Sequence, residues 1–213
     1  MPRQDVPQSV IALTISGPPV WCWQQHMRTV HCQQVATTQF HLVAMSASHE
    51  QYMRQALTEA KKSPPKPTNF CVGALLVSPS SDPPVLETGY TLELPGNTHA
   101  EQCCFTKMAN RFGVSEEEIG HHLPGDTVLY TTMEPCNLRL SGALPCADRI
   151  LRINEGGKSG IRKVYIGVKE PEKFVGENEG RAKLEQAGIE VLHVPGMEEE
   201  ILNVATAGHE KGG

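Results

Sequence analysis

Residues 132–151 read TMEPCNLRLSGALPCADRIL and contain two Pro-Cys pairs, Pro135-Cys136 and Pro145-Cys146. Proline is favoured at the first position of a helix. The pairs therefore place both cysteines in first helical turns, where unpaired peptide N–H groups and the helix dipole favour negative charge and lower a thiol's pKa. Three uses of such a pair compete: a disulfide, a redox couple, or two thiolate ligands for a metal.

The rest of the chain bears on that choice. Seven cysteines, an odd number, are scattered over 213 residues without a framework spacing. The apolar SVIALTIS at 9–16 lacks a clear basic flank and makes a poor signal or transit peptide. Both features point to a cytoplasmic, reducing setting, which disfavours a disulfide. The longest apolar run, FCVGALLV at 70–77, is a strand's length, so no membrane association is expected. With a formal net charge of −5 and no basic tract, a nucleic-acid surface is not expected either. Small-molecule chemistry is the better reading.

Composition changes near Met45. Residues 1–45 are rich in Gln, Thr, Val and His, show no period, and form an extension of unknown structure that carries Trp21 and Trp23. A domain is expected over 46–213. Ser48 and Gln51 make a capping box, and Tyr52, Met53, Ala56, Leu57 and Ala60 follow at helical spacing up to Pro64-Pro65. FCVGALLVS and VLETGYT are expected as antiparallel strands, THAEQCCFTKMANRF as a helix, and a short acidic helical turn after Ser115. Strands TVLYTTM, KVYIGV and IEVLHV then alternate with helices PCADRILRINEG, NEGRAKLEQAG and MEEEILNVATAG, the mark of parallel crossover units. The prediction is a three-layer α/β/α domain around a mixed five-stranded sheet.

A second informative stretch is GNTHAEQ, residues 96–102. Thr98 and Glu101 are spaced as a capping box, and a lone His-x-Glu carries little weight. Its weight comes from combination with the cysteines. His99, Cys136 and Cys146 offer three donors for Zn²⁺ and leave one tetrahedral position for water, the pattern of a catalytic rather than a structural zinc. Such an ion lowers the pKa of its water to about 7. Glu101 lies two residues from His99 and can carry protons without ligating, the logic of a zinc-dependent deaminase of a nucleobase-like ring. Arg139 and Ser141 lie between the thiolates. An arginine there can fork to a phosphate or be a plain surface residue. Asn97 can contact substrate or serve as a cap or hinge.

His99-Ala100-Glu101 with Pro135-Cys136 and Cys146 resembles the cytidine deaminase superfamily, and within it the riboflavin-biosynthesis pyrimidine deaminases. Nine residues separate the cysteines, a departure from Pro-Cys-x-x-Cys typical of that branch. NFCVGALLV, GNTHAEQ, LYTTMEPC and GVKEPEKFVGENEGRAKLEQAGIEV are similar to its motifs, and RLSG with EPEKFVGENEG is most similar to the fungal type. The resemblance implies a cytidine-deaminase-like fold and hydrolytic deamination of 2,5-diamino-6-ribitylamino-4(3H)-pyrimidinone 5′-phosphate. It further implies Glu101 as the acid–base catalyst, Asn69 as a substrate contact, and a homodimer. Lys169 and Asn178 are weaker candidates. Rival readings are a cytidine or deoxycytidylate deaminase, a nucleic-acid deaminase, and a catalytically silent zinc module. Cys103 and Cys104 are expected on the metal helix, one buried and one lateral, and His121-His122 in a solvated loop.

Overall fold

The computed structural model describes residues 49–157, 159–171 and 178–209; the boundary expected at residue 45, both tryptophans and Ser48 lie outside them. The elements in chain order are α1 (49–60), β1 (Gly73–Val77), β2 (Val85–Tyr90), α2 (Ala100–Phe112), a 3-10 helix (Glu116–His121) and β3 (Val128–Met133). They continue with α3 (Cys146–Asn154), β4 (Lys163–Val168), α4 (Gly180–Gln186), β5 (Glu190–His193) and α5 (Glu198–Ala205). The sheet order is β2-β1-β3-β4-β5. β1 pairs antiparallel with β2 and β3, while β3, β4 and β5 run parallel through the intervening α3 and α4.

Strand alternation divides the core into two layers. Ala74, Leu76 and Leu129 pack with Ala100, Phe105 and Met108 of α2 and with Ala147, Ile150 and Ile153 of α3. Leu75, Val77 and Tyr130 face the other way, onto Met53, Ala56, Leu57 and Ala60 of α1 and Ile201 of α5. β1 is buried along its whole length because helices cover both of its faces. This is the expected three-layer α/β/α sandwich with a mixed sheet.

Two local expectations are corrected. The first strand was read from Phe70 but starts at Gly73. Residues 71 and 72 bond elsewhere: Cys71 N–H donates to Ala205 O at 2.9 Å, and Thr91 N–H to Val72 O at 3.0 Å. The helix expected from Thr98 is capped by His99 instead, and the Thr98 hydroxyl donates to Leu94 O at 3.1 Å. No capping box forms there, which leaves the Glu101 carboxyl free to point elsewhere. The capping box of Ser115 with Glu118 does form, on the 3-10 helix.

The position of α2 depends on Gly89 in β2. A Cβ there would stand 2.2 Å from Ala100 O and 3.0 Å from Cys104 N, so α2 lies directly on that strand. Gly89→Ala must push α2 off the sheet. Overpacking of this kind typically costs about 1–3 kcal/mol, or roughly 2–12 °C in Tm for a chain of this size. Calorimetry of the variant checks this; an unchanged Tm would contradict the close approach.

Candidate active site

The starts of two helices meet beyond the end of β3. His99 is the N-cap of α2 and is half-buried. Cys146 is the first residue of α3, with Pro145 as N-cap. Cys136 lies in the loop that leaves β3, not in a helical turn as its proline suggested. It still receives a helix terminus. Cys146 N–H donates to Cys136 Sγ at 3.4 Å, and Ala147 N–H to Cys136 O at 3.2 Å. The start of α3 thus serves both sulfurs, one on its own chain end and one brought to it.

His99 Nδ1 is 3.5 Å from Cys136 Sγ and 3.5 Å from Cys146 Sγ, and all three donor atoms lie within 4.8 Å of one another. Tetrahedral bonds of about 2.3 Å to sulfur and 2.0–2.1 Å to nitrogen separate the two donor types by about 3.5 Å. The three residues are therefore positioned to bind zinc. A hydrogen bond from Cys146 holds the Cys136 thiol well below its ordinary pKa, with His99 adding to the effect. The Cys146 thiol, the donor of that bond, is held correspondingly high. A metal held by His99, Cys136 and Cys146 would replace the shared proton and take both sulfurs as thiolates.

Glu101, in the first turn of α2, is buried against this triad. Its Oε1 lies 3.4 Å from the Thr131 hydroxyl, which donates to Met133 O at 2.9 Å, and its Oε2 lies 3.4 Å from Cys146 Sγ. Burial, and then the negative charge of Cys136, push its pKa up. The carboxyl occupies a place beside the donors, and the three metal donors form a set without it.

A pocket opens over these groups, lined among others by Asn69, Asn97, His99, Glu101, Arg139 and Ser141. Of the candidate residues, Cys136 also lines this cavity, and Cys146 does not, although its sulfur lies within 4.8 Å of the other two metal donors. Arg139 is only 6% exposed and is not a surface residue. Its Nη1 donates to Gln102 Oε1 at 2.9 Å and its Nη2 to Asn97 O, while its buried Nε has no hydrogen-bond partner. Asn69 Nδ2 donates to Asn97 Oδ1 at 2.7 Å. Leu138 and Leu140 stand exposed at the rim. Lys169 and Asn178 are not in the lining. Asn178 instead accepts from Gly180 N–H at 2.8 Å and donates to Pro135 O at 3.1 Å, tying α4 to the cysteine loop.

Two further carboxyls line the pocket that the sequence reading did not single out, Glu134 and Glu170. They follow β3 and β4, at the carboxyl ends of adjacent parallel strands, where open α/β sheets bind ligands. That position was the available signal. Burial raises the Glu134 pKa, opposed by backbone N–H groups of Glu170 and Arg181. Burial and the nearby Cys136, Glu101 and Glu134 charges push Glu170 up to about 8, and its Oε2 is buried without a hydrogen-bond partner. Cys103 and Cys104 are both buried, correcting the lateral position expected for one of them. Their sulfurs face Tyr90 O and Ala74 O, in the core. His121 and His122 are exposed as expected, His122 stacking on Phe112.

The profile of the cytidine and deoxycytidylate deaminase zinc-binding region matches residues 46–168. The chain belongs to the cytidine and deoxycytidylate deaminase family. A diaminohydroxyphosphoribosylamino-pyrimidine deaminase of Schizosaccharomyces pombe is 38% identical over 162 residues, covering 76% of this chain and 36% of that protein. The riboflavin biosynthesis protein RibD of Bacillus amyloliquefaciens is 32% identical over 143 residues, covering 67% and 32%. The chain therefore spans about a third of the length of these curated relatives. Among solved structures, the Aspergillus oryzae Rib2 deaminase (a C-terminal deletion mutant) superposes with a TM-score of 0.68 at 48% identity, over 76% of this chain and 92% of that one. The same Aspergillus enzyme has been crystallised in complex with DARIPP. Among the described residues, no helix is long and apolar enough to cross a membrane.

Membership in a zinc-binding family and the donor geometry lead to one expectation. The purified chain carries about one zinc per molecule, as three protein donors and one open position require. Cys146→Ser and His99→Ala each reduce it to background in elemental analysis. Full zinc content in either variant would show that the ion sits elsewhere.

Proposed function

We propose that this chain is a zinc-dependent hydrolytic deaminase of 2,5-diamino-6-ribitylamino-4(3H)-pyrimidinone 5′-phosphate, releasing ammonia in riboflavin biosynthesis. One observation carries the chemistry: a buried carboxyl, Glu101, sits beside a His-Cys-Cys donor set at a pocket. When bound to His99, Cys136 and Cys146, zinc supplies Lewis-acid activation of water. Glu101 then accepts a proton from the water that attacks C2 of the pyrimidine. It passes that proton to a ring nitrogen, then takes the second proton from the hydroxyl now on C2 and gives it to the amine there. The C–N bond breaks, ammonia leaves, and C2 becomes a carbonyl. Burial suits Glu101 to this exchange, since a raised pKa makes the carboxylate a stronger proton acceptor.

Substrate identity is supported by the relatives. The Aspergillus oryzae protein's complex with DARIPP supports a phosphorylated pyrimidine, and the Schizosaccharomyces pombe protein's name supports one with a phosphorylated sugar-derived arm. The pocket chemistry agrees. The proposed ring carries amino groups at C2, C5 and C6, and Glu134 and Glu170 offer acceptors to such donors. Cytosine has a single exocyclic amine and less use for them. Asn69, Asn97, Arg139 and Ser141 are proposed to receive the ribityl phosphate arm. The unpartnered Nε–H of Arg139 is the donor left for it. The same reading carries a cytoplasmic homodimer.

Ammonia release tests the reading directly. The chain should turn over the ribitylamino pyrimidine phosphate in preference to its ribosylamino counterpart and to deoxycytidylate. Preference for deoxycytidylate would overturn the substrate and keep the chemistry. Glu101→Gln should retain zinc and lose about 10²–10⁴ in kcat, the usual contribution of general acid–base catalysis. Near-normal turnover in that variant would overturn the mechanism.

A further inference from the structure

We propose that His209 is a positioning residue for the substrate pocket, acting through Asn69. It lies just beyond α5, yet it reaches a segment that lines the pocket. His209 Nε2 donates to the backbone carbonyl of Asn69 at 3.0 Å, across 140 residues of chain. Its ring packs on Phe70, with centroids 4.9 Å apart and planes at 58°. Asn69 and Phe70 both line the pocket.

The contact is built from more than one bond. Gly208 approaches the Lys66 backbone so closely that a Cβ would meet Lys66 N at 2.3 Å. Cys71 N–H donates to Ala205 O at 2.9 Å. Residues 66–69 close a turn of their own, Asn69 N–H donating to Lys66 O at 3.3 Å. The end of α5 therefore grips the segment 66–71 from both sides of Asn69.

From Asn69 the connection continues around the rim. Its side-chain amide donates to Asn97 Oδ1 at 2.7 Å. Asn97 O accepts from Arg139 Nη2, and Arg139 Nη1 donates to Gln102 Oε1 at 2.9 Å. One line of hydrogen bonds thus joins the last turn of the domain, the 66–71 segment, the lead-in to the metal helix and the loop between the cysteines. Asn69 is its corner. The Asn69 backbone can hold the amide toward Asn97 only while its carbonyl is fixed, and His209 supplies the donor that fixes it. The elements joined here are otherwise exposed loops, and loops without such ties open at low free energy.

This inference rests on the proposed substrate reading for its kinetic arm but not for its structural one. His209→Phe keeps the ring against Phe70 and removes the donor. His209→Gln restores a donor at nearly the same place. The Phe variant should raise KM for the ribitylamino pyrimidine phosphate about 2–10-fold, the effect of one neutral hydrogen bond, with zinc content and kcat less affected. The Gln variant should return KM toward wild type. In an Asn69→Ala background, His209→Phe should add nothing further, because both changes remove one connection. Independently of any substrate, hydrogen exchange in His209→Phe should quicken at residues 68–72 and around Asn97 and stay unchanged in β1 and β3. A Phe variant with wild-type KM and wild-type exchange at those segments overturns the proposal. So does additivity with Asn69→Ala, or a loss of zinc that accounts for the defect. If the wild-type protein ignores the ribitylamino compound, the substrate reading fails while the exchange experiment still decides the role of His209.

Discussion

Everything at this site depends on bringing two helix starts to the same place. Each supplies unpaired backbone N–H groups and a positive dipole end. The α3 start donates to Cys136 while presenting Cys146, and the α2 start presents His99 and Glu101. No single segment of the chain could bring these four groups together. The mixed sheet does it, because β3 delivers Cys136 at its carboxyl end and α2 and α3 begin at that end.

The price is a concentration of negative charge. Two sulfurs and three carboxyls, those of Glu101, Glu134 and Glu170, gather here; the pKa of every one but Cys136 is raised, burial contributing to each, and neighbouring negative charge raises Glu101, Cys146 and Glu170 further. A buried cluster of this sign is stable only with a compensating cation or with protons. The donor geometry answers the first need with a divalent ion, and the raised carboxyl pKa values answer the second.

Around this centre the loops are tied rather than loose. Asn178 fastens α4 to Pro135, Arg139 fastens the inter-cysteine loop to Asn97 and Gln102, and His209 fastens the 66–71 segment to the end of α5. Close backbone contacts do the same for the regular elements, with Gly89 under α2 and Gly73 under α1. Rim geometry is in this way coupled to packing on both faces of the sheet.

Sequence alone determined the layers, the mixed sheet and the identity of the metal donors. Periodicity exposes which face of α1 is buried, the unbroken apolar run marks β1 as a buried strand, and His99, Cys136 and Cys146 are chemically scarce types in a recognisable order. It also placed Asn69, Asn97, Arg139 and Ser141 near the site, though not in their hydrogen bonds. Tertiary structure decided what depends on contacts between distant residues. Thr98 looked like a cap until α2 began one residue later, Cys136 looked helical until the chain left β3 as a loop, and Arg139 looked equally like a surface residue until Asn97 and Gln102 closed over it. Glu170 was marked only by its place after β4, and His209 carried no local signal, because a carboxyl after a strand or a histidine after a helix gains meaning only from what the fold sets against it. Local propensity reads a few neighbouring residues, whereas burial, charge and hydrogen-bond partners belong to the packed chain.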